Sequence, residues 1–378
     1  MNKPVILLGN GVRNNPALIE HLCSLNIPIL TTWMAADLLP EDSPVFCGRP
    51  GIFGQRAANI IQQKATHLYC FGARLDGEQV AYDYDRFAPN AEIWVYDVDA
   101  AELNKLPERF YTIEADVARI GGNINAEDGK WLAWCKALYK YFRLELDGEQ
   151  RGKYVNPFYF LHLLSDMAES DDVFALGSSG NAPTTFYQAF KVKHGQRISN
   201  VSTIGAMGAD VPMALGAALS TGRRTICITG DGGFQMNAQE LETIRRLHLP
   251  IIFFVMNNGG YNSIRVGQLA RFGRVTGANP ASGFTMASIE KLADCYGFMY
   301  MKLDRHNLSD FQKCFTATPL IVEVMVDPEW QQLPRVMASG DPGNLVIDNM
   351  EDMSPKIPEL AALMDKEDIG WFDWARLQ

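Results

Sequence analysis

The sequence contains no CxxC pair, and none of its seven cysteines (23, 47, 70, 135, 227, 295 and 314) has a histidine at zinc-site spacing. An odd, scattered set excludes a disulfide framework and a structural zinc site and fits buried thiols in a reducing compartment. Basic residues are in deficit: 34 Lys and Arg stand against 44 Asp and Glu, a formal charge of -10. A surface that tracks phosphates needs the opposite balance, so no nucleic-acid partner is expected. No run approaches the ~20 apolar residues that span a bilayer. The opening MNKPVILLGNG passes directly from a short apolar stretch into Gly9 and Gly11, as a first strand does and a secretory signal does not. No membrane association and a cytoplasmic location are the expectation. A repeat of fixed period is missing too, which removes solenoids and propellers.

What is present is ordinary globular composition, 47% hydrophobic and 21% charged, in 378 residues, enough for two domains. Short apolar runs alternate with helix-like stretches in two series. The first has strands at 5–8, 28–30, 67–71 and 92–96 with helices near 17–25 and 55–64; the second has strands at 172–176, 225–229, 251–256 and 320–326. Such alternation implies an α/β protein with two doubly wound parallel-sheet domains. The expected boundaries are 1–122 for the first domain and 156–328 for the second. Between them, 123–155 reads as a linker carrying an aromatic helix with Trp131, Trp134 and Tyr139, and 329–378 as a polar tail wrapping over the surface.

The most informative segment is TICITGDGGFQMNAQELETIRRLHLPIIFFVMNNGGY, residues 225–261. A strand ends at Asp231, a helix over 238–248 presents Leu241, Ile244 and Leu247 on one face, and a second strand follows at 251–256. About eleven helical residues run back ~16 Å, close to the length of a six-residue strand, so the crossover returns to its starting level. Asp231 and the pair Asn257-Asn258 must then emerge together at the carboxyl edge of neighbouring parallel strands, where open α/β sheets bind ligands. A carboxylate, an amide oxygen and a backbone carbonyl are hard oxygen ligands suited to Mg²⁺. Gly232, Gly233, Gly259 and Gly260 leave the backbone open to a diphosphate. Two Gly-rich turns in a nucleotide-binding sheet are the competing reading.

GDG, then 24 residues, then NN resembles the thiamine-diphosphate motif, and NVSTIGAMGADVPMALGAAL (200–219) is similar to the stretch that precedes it in acetolactate synthases and related decarboxylases. The resemblance implies Asp231, Asn258 and the carbonyl of Gly260 as Mg²⁺ ligands, with Asn257 structural. It implies further cofactor contacts at Gly180, Asn181 and Ala182 in the loop LGSSGNAPT, at Ala206, at Gly232 and Gly233, and at Tyr261. Met207 matches the apolar wedge that bends the cofactor, and the Gly205 carbonyl matches the acceptor for its aminopyrimidine. On the residues alone Met207 reads as core, and LGSSGNAPT as a strand-to-helix turn.

TTWMAADLLPED, RPGIFGQRAAN (49–59) and CFGARLDGEQV (70–80) resemble the central domain of the same acetolactate-synthase-like family, in the order central domain, then diphosphate domain. The family's pyrimidine-binding domain, with its activating glutamate, has no counterpart here. Glu240 reads as an ordinary position in the crossover helix. The resemblance therefore implies a heteromer, at least two copies of each chain, in which a separate subunit supplies that domain and the pair acts on a 2-oxo acid as decarboxylase or carboligase. A non-catalytic cofactor-binding or regulatory protein is the alternative, and an unrelated nucleotide-binding dehydrogenase is a third. Gly9-Asn10-Gly11 lacks the third glycine of a dinucleotide fingerprint, Asn14 standing there, so it reads as a structural turn rather than a site for FAD or a nucleotide.

Two positions depart from acetolactate synthases. Where their motif GARFDDRV has a second arginine for the acceptor carboxylate, Glu78 stands, and a negative charge there repels such an acceptor. The family's tryptophan after NN aligns with Gly267. NNGGYNSIRVGQLARFG also resembles thiamine-dependent relatives of surface-sugar biosynthesis, which fits acyl transfer to a bulkier, uncharged carbonyl. Donor, acceptor, stoichiometry and simple protonation to an aldehyde all stay open at this point.

Overall fold

Five strands in the first 114 residues pair side by side in one direction: β1 (Pro4–Leu8), β2 (Ile29–Thr31), β3 (His67–Phe71), β4 (Glu92–Asp97) and β5 (Phe110–Glu114), in the order β2-β1-β3-β4-β5. In the computed structural model the described residues are 2–116, 124, 129–143, 152–177, 182–201, 205–340, 344, 346–358 and 360. The chain forms two compact units, Met1–Glu145 with Leu333–Gln378, and Leu146–Gln332. Among the described residues no helix is long and apolar enough to cross a membrane.

In the first unit the helices are α1 (Pro16–Cys23), α2 (Arg56–Gln63), α3 (Ala100–Asn104) and α4 (Lys130–Arg143). Asn15 caps α1 by accepting from Leu18 N–H, with proline at the first helical position, where no amide is needed. The sequence places α4 in a linker, but here it belongs to the core: Trp131, Cys135, Leu138, Tyr139 and Phe142 recur at helical spacing and are buried with the first sheet. Its aromatic stripe, set among charged segments, is a core face and not a spacer.

The polar tail likewise has a fixed place. Every residue of α2 is buried, Arg56, Asn59, Gln62 and Gln63 included, because segment 350–355 lies against it. Arg56 donates to the carbonyls of Met353 (2.9 Å) and Pro355 (2.8 Å). Asn59 donates to the carbonyls of Gly51 and Met350, each at 3.0 Å, and accepts from Gly51 N–H at 2.9 Å. Met350 and Met353 fill the remaining space.

Gly9 and Gly11 serve packing. Their amides donate to Phe71 O (2.9 Å) and Gly72 O (3.0 Å), and a Cβ on either would collide with the Gly72 backbone. The turn after β1 thus crosses the end of β3 at a distance that only glycine permits.

The second unit holds six parallel strands: β6 (Val173–Leu176), β7 (Arg197–Asn200), β8 (Thr225–Gly230), β9 (Ile251–Asn257), β10 (Met299–Leu303) and β11 (Leu320–Met325), in the order β10-β11-β9-β8-β6-β7. Its helices are α5 (Pro157–Met167), α6 (Ala182–Ala189), α7 (Asp210–Thr221), α8 (Asp231–Phe234), α9 (Glu240–Arg246), α10 (Asn262–Phe272) and α11 (Ile289–Tyr296). Both faces are covered, as consecutive phenylalanines of β9 show. Phe253 meets Phe234 and Phe298 on one side, while Phe254 meets Phe160 and Phe311 on the other.

The crossover from β8 to β9 differs from a single long helix. A four-residue α8 and a 3-10 turn at Gln235–Asn237 precede the seven-residue α9. Leu241 and Ile244 are buried, but Leu247, expected on the same face, is exposed. The helix has ended there, His248 turns the backbone to φ +50, and Leu249 takes the buried place.

Asn59→Ala removes three hydrogen bonds from buried backbone groups of the first unit, and should lower its unfolding free energy by about 3 kcal/mol. Urea unfolding measures this; a loss below about 1 kcal/mol would show that the Asn59 amide is not what holds the return segment.

Candidate functional site

The parallel register of β8 and β9 runs from Thr225 opposite Ile251 to Gly230 opposite Met256. The next residues, Asp231 and Asn257, therefore leave the sheet at one level and one edge, as the spacing requires. Asp231 is 1% exposed. One carboxylate oxygen accepts from Gly232 N–H at 2.8 Å and the other from Gly260 N–H at 3.0 Å, which joins the two turns directly. Burial dominates its titration and pushes its pKa from the ordinary 3.8 up to about 6, although backbone amides of Gly232, Gly260, Gly259 and Asn258 pull it down.

The turn after β9 divides the labour of its two asparagines. Asn257 donates to Glu323 and accepts from Gly259 N–H at 3.0 Å, so both ends of its amide are committed to structure. Asn258 is 1% exposed, and its Oδ1 is buried with no hydrogen-bond partner among the described residues. Gly259 and Gly260 follow at φ +74 and +138; a Cβ on Gly260 would collide with Ala278 O. The Tyr261 ring lies against Gly232, where a Cβ would strike it, and packs on Phe284 with ring centroids 4.2 Å apart.

The segment 205–208 comes to the same place. Gly208 O accepts from Asn237 Nδ2 at 2.8 Å, and a Cβ on Gly208 would lie 3.4 Å from Gly233 O. Met207 is 38% exposed, so the reading of it as a core residue fails. Gly205 and Ala206 are exposed beside it. Gly180 and Asn181 lie outside the described residues; Ala182 opens α6, the helix that follows β6. Sequence reasoning missed Asp210, Asn237, Tyr300 and Glu323. Asp210 is wholly buried, accepts from the Thr229 hydroxyl, and has its carboxyl pushed up by burial. The signal for Glu323 was an acid inside the apolar run LIVEVM.

Among the described residues no group of three His, Cys, Asp or Glu side chains could hold a metal ion. A cation here would rest on one carboxylate with amide and carbonyl oxygens. The residues fit one: a partnerless buried amide oxygen next to a desolvated carboxylate is a polar arrangement that a hard divalent ion completes.

Residues 178–324 match the family described as thiamine pyrophosphate enzyme, C-terminal TPP binding domain, and residues 1–121 match thiamine pyrophosphate enzyme, central domain. The chain belongs to the thiamine pyrophosphate enzyme family, of which it carries the central and C-terminal TPP binding domains. It is 28% identical over 348 residues to the acetolactate synthase isozyme 1 large subunit of Escherichia coli, covering 88% of this chain and 60% of that one. With the acetolactate synthase large subunit of Cyanidium caldarium it shares 29% over 344 residues, 86% of this chain and 57% of the relative. The chain thus spans less than two thirds of the length of these relatives.

The two departures sit in different local settings. In the first unit the Glu78 carboxyl is raised by burial and then by Asp76. In the second, a Cβ on Gly267 would meet nothing within 4 Å, so packing does not demand glycine there.

Asp231 also sets a pH dependence. A carboxyl whose folded pKa is raised binds its proton more readily in the folded chain, so metal-free stability is greatest below the unfolded value and falls as pH rises from about 4 to about 6. The loss should reach about 3 kcal/mol. Urea unfolding in chelator at both ends of that window, for wild type and Asp231→Asn, measures it. Equal pH slopes for the two proteins would remove Asp231 as the source.

Proposed function

We propose that this chain is the diphosphate- and cation-binding subunit of a two-subunit thiamine-diphosphate-dependent 2-oxo-acid decarboxylase or carboligase, active only with a partner that supplies the pyrimidine-binding domain. The observation that carries the reading is the buried, partnerless Asn258 Oδ1 beside the Asp231-to-Gly260 bridge. Mg²⁺ would be held by Asp231, Asn258 Oδ1 and the Gly260 carbonyl. Gly180, Asn181, Ala182, Gly232 and Gly233 would face the diphosphate, with Tyr261 closing over Gly232. When bound, thiamine diphosphate supplies the nucleophilic carbon and electron sink for breaking the bond next to a 2-oxo group.

This chain's own residues bind and shape. Met207 would be the apolar side chain that packs against the bound cofactor and sets its shape, and the Gly205 carbonyl would accept a hydrogen bond from its aminopyrimidine. Ala206, exposed between them, would belong to the same cofactor-facing stretch. The activating glutamate comes from the partner, in a cytoplasmic hetero-oligomer with at least two copies of each chain. Two exposed methionines, Met207 at 38% and Met236 at 41%, support a face at this edge that another domain covers. The relatives' printed name, large subunit, supports assembly with other chains.

Glu78 favours an uncharged acceptor carbonyl over a second oxo-acid carboxylate, because a fixed acid repels the latter. Acyl transfer to such a carbonyl is therefore preferred to acetolactate formation.

Calorimetry with thiamine diphosphate and Mg²⁺ should show saturable binding to the wild-type chain and none to Asp231→Ala. NAD binding untouched by that substitution would instead indicate a dehydrogenase. Met207→Ala should keep cofactor affinity within about tenfold, yet lose more than about tenfold in turnover of the reconstituted pair, because the wedge acts on cofactor shape more than on its anchoring. Full turnover of a 2-oxo acid by the purified chain alone would overturn the two-subunit reading, and cofactor binding without turnover in the native complex would leave a non-catalytic binding protein.

A further inference from the structure

Glu323 is 7% exposed and is the one acid in the buried run of β11. Register places it opposite Lys302 of β10 and Val255 of β9. A step of two residues along a strand keeps a side chain on the same face, so Tyr300, Glu323 and Asn257 line up diagonally across three adjacent strands toward the carboxyl edge. The Tyr300 hydroxyl donates to one Glu323 oxygen, and Asn257 Nδ2 donates to the other at 2.5 Å.

This arrangement settles which way the Asn257 amide faces. An ionised carboxylate only accepts, so the NH₂ end of Asn257 must turn toward Glu323. Its Oδ1 is thereby aimed at the turn, where it accepts from Gly259 N–H at 3.0 Å. That bond braces the backbone at Gly259 (φ +74) and Gly260 (φ +138), the stretch that carries Asn258 Oδ1 and places Gly260 N–H on Asp231. Without the carboxylate the amide is free to rotate by half a turn, and its NH₂ would then oppose the Gly259 N–H.

We infer that Glu323, held by Tyr300, is a positioning residue for the cation site, acting through the Asn257 amide on the turn that presents Asn258 and Gly260. The inference rests on the reading of that turn as a Mg²⁺ site. Glu323 touches neither cation nor substrate; it fixes the orientation of a group that fixes the ligands, and supporting contacts of this kind are worth about 10- to 100-fold in metal affinity.

The test is calorimetric titration of Mg²⁺ into the full-length chain with excess thiamine diphosphate, for wild type, Glu323→Met, Glu323→Gln and Asp231→Asn. Glu323→Met keeps the volume but loses the acceptor, and should bind Mg²⁺ about 10- to 100-fold more weakly while melting cooperatively. Glu323→Gln keeps an oxygen for Asn257 and should stay within about threefold of wild type. Raising Mg²⁺ should restore thiamine diphosphate binding to Glu323→Met, which a general loss of fold would not allow. Wild-type Mg²⁺ affinity in Glu323→Met, together with lost affinity in Asp231→Asn, overturns the positioning role while leaving the site intact. Unchanged affinity in Asp231→Asn overturns the site itself. Should Glu323→Met not fold, Tyr300→Phe decides: it removes one hydroxyl, a several-fold weakening supports the role, and unchanged affinity overturns it.

Discussion

The hydrogen bond from Gly260 N–H to the Asp231 carboxylate is the contact on which the site depends. It joins the turn after β8 to the turn after β9, whose carboxyl ends the parallel register has already brought level. A charged acceptor makes such a bond roughly twice as strong as a neutral one. Burial works against it, since the same carboxylate has lost its water, and the upward displacement of its pKa to about 6 shows that desolvation outweighs four backbone amides. The site is thus held together by a charge that the fold alone does not fully compensate. A divalent cation bound there would offset that imbalance.

How much of the fold could be read in advance follows from burial. The apolar runs recognised in the sequence are the interior strands β1, β3, β4, β6, β8, β9 and β11 together with the edge strand β2, whose three residues are all buried; a strand covered on both faces is apolar nearly throughout. The strands that escaped notice, β5, β7 and β10, are edge strands of the two sheets. Phe110–Glu114 and Met299–Leu303 are exposed or half-buried at four of five positions each and carry polar residues, so neither stands out as an apolar run. The same logic explains α4. Its aromatic stripe was visible, but the charged segments on either side suggested a linker, and only contact with the first sheet assigns it to a core.

At the site, residues that act through backbone geometry were legible and those that act through a neighbour were not. Asp231, Gly232 and Gly260 follow from a spacing of strand, helix and strand, Tyr261 from the family resemblance, and the structure brings them together. The division between Asn257 and Asn258 is visible in their partners: one amide is committed at both ends, the other leaves a buried oxygen unmatched. Glu323 and Tyr300 lie more than forty positions beyond the NN motif, and their connection to it exists only in the cross-strand register. No local pattern encodes that diagonal.

The two departures from the acetolactate synthases bear differently on substrate. At Gly267 the space beside the backbone is open, so a larger side chain would meet no steric bar, and its absence must answer to something other than packing of this unit. Glu78 carries a sign as well as a size. Its own desolvation and the neighbouring Asp76 both raise its pKa, so it is an acid under electrostatic load in a segment where Leu75, Ala81 and Tyr82 already occupy left-handed backbone conformations. A segment loaded in both ways is poorly explained by folding needs alone. Under the proposed function, an acid at this position would act on an acceptor through its charge, whereas an open Gly267 would act only through shape.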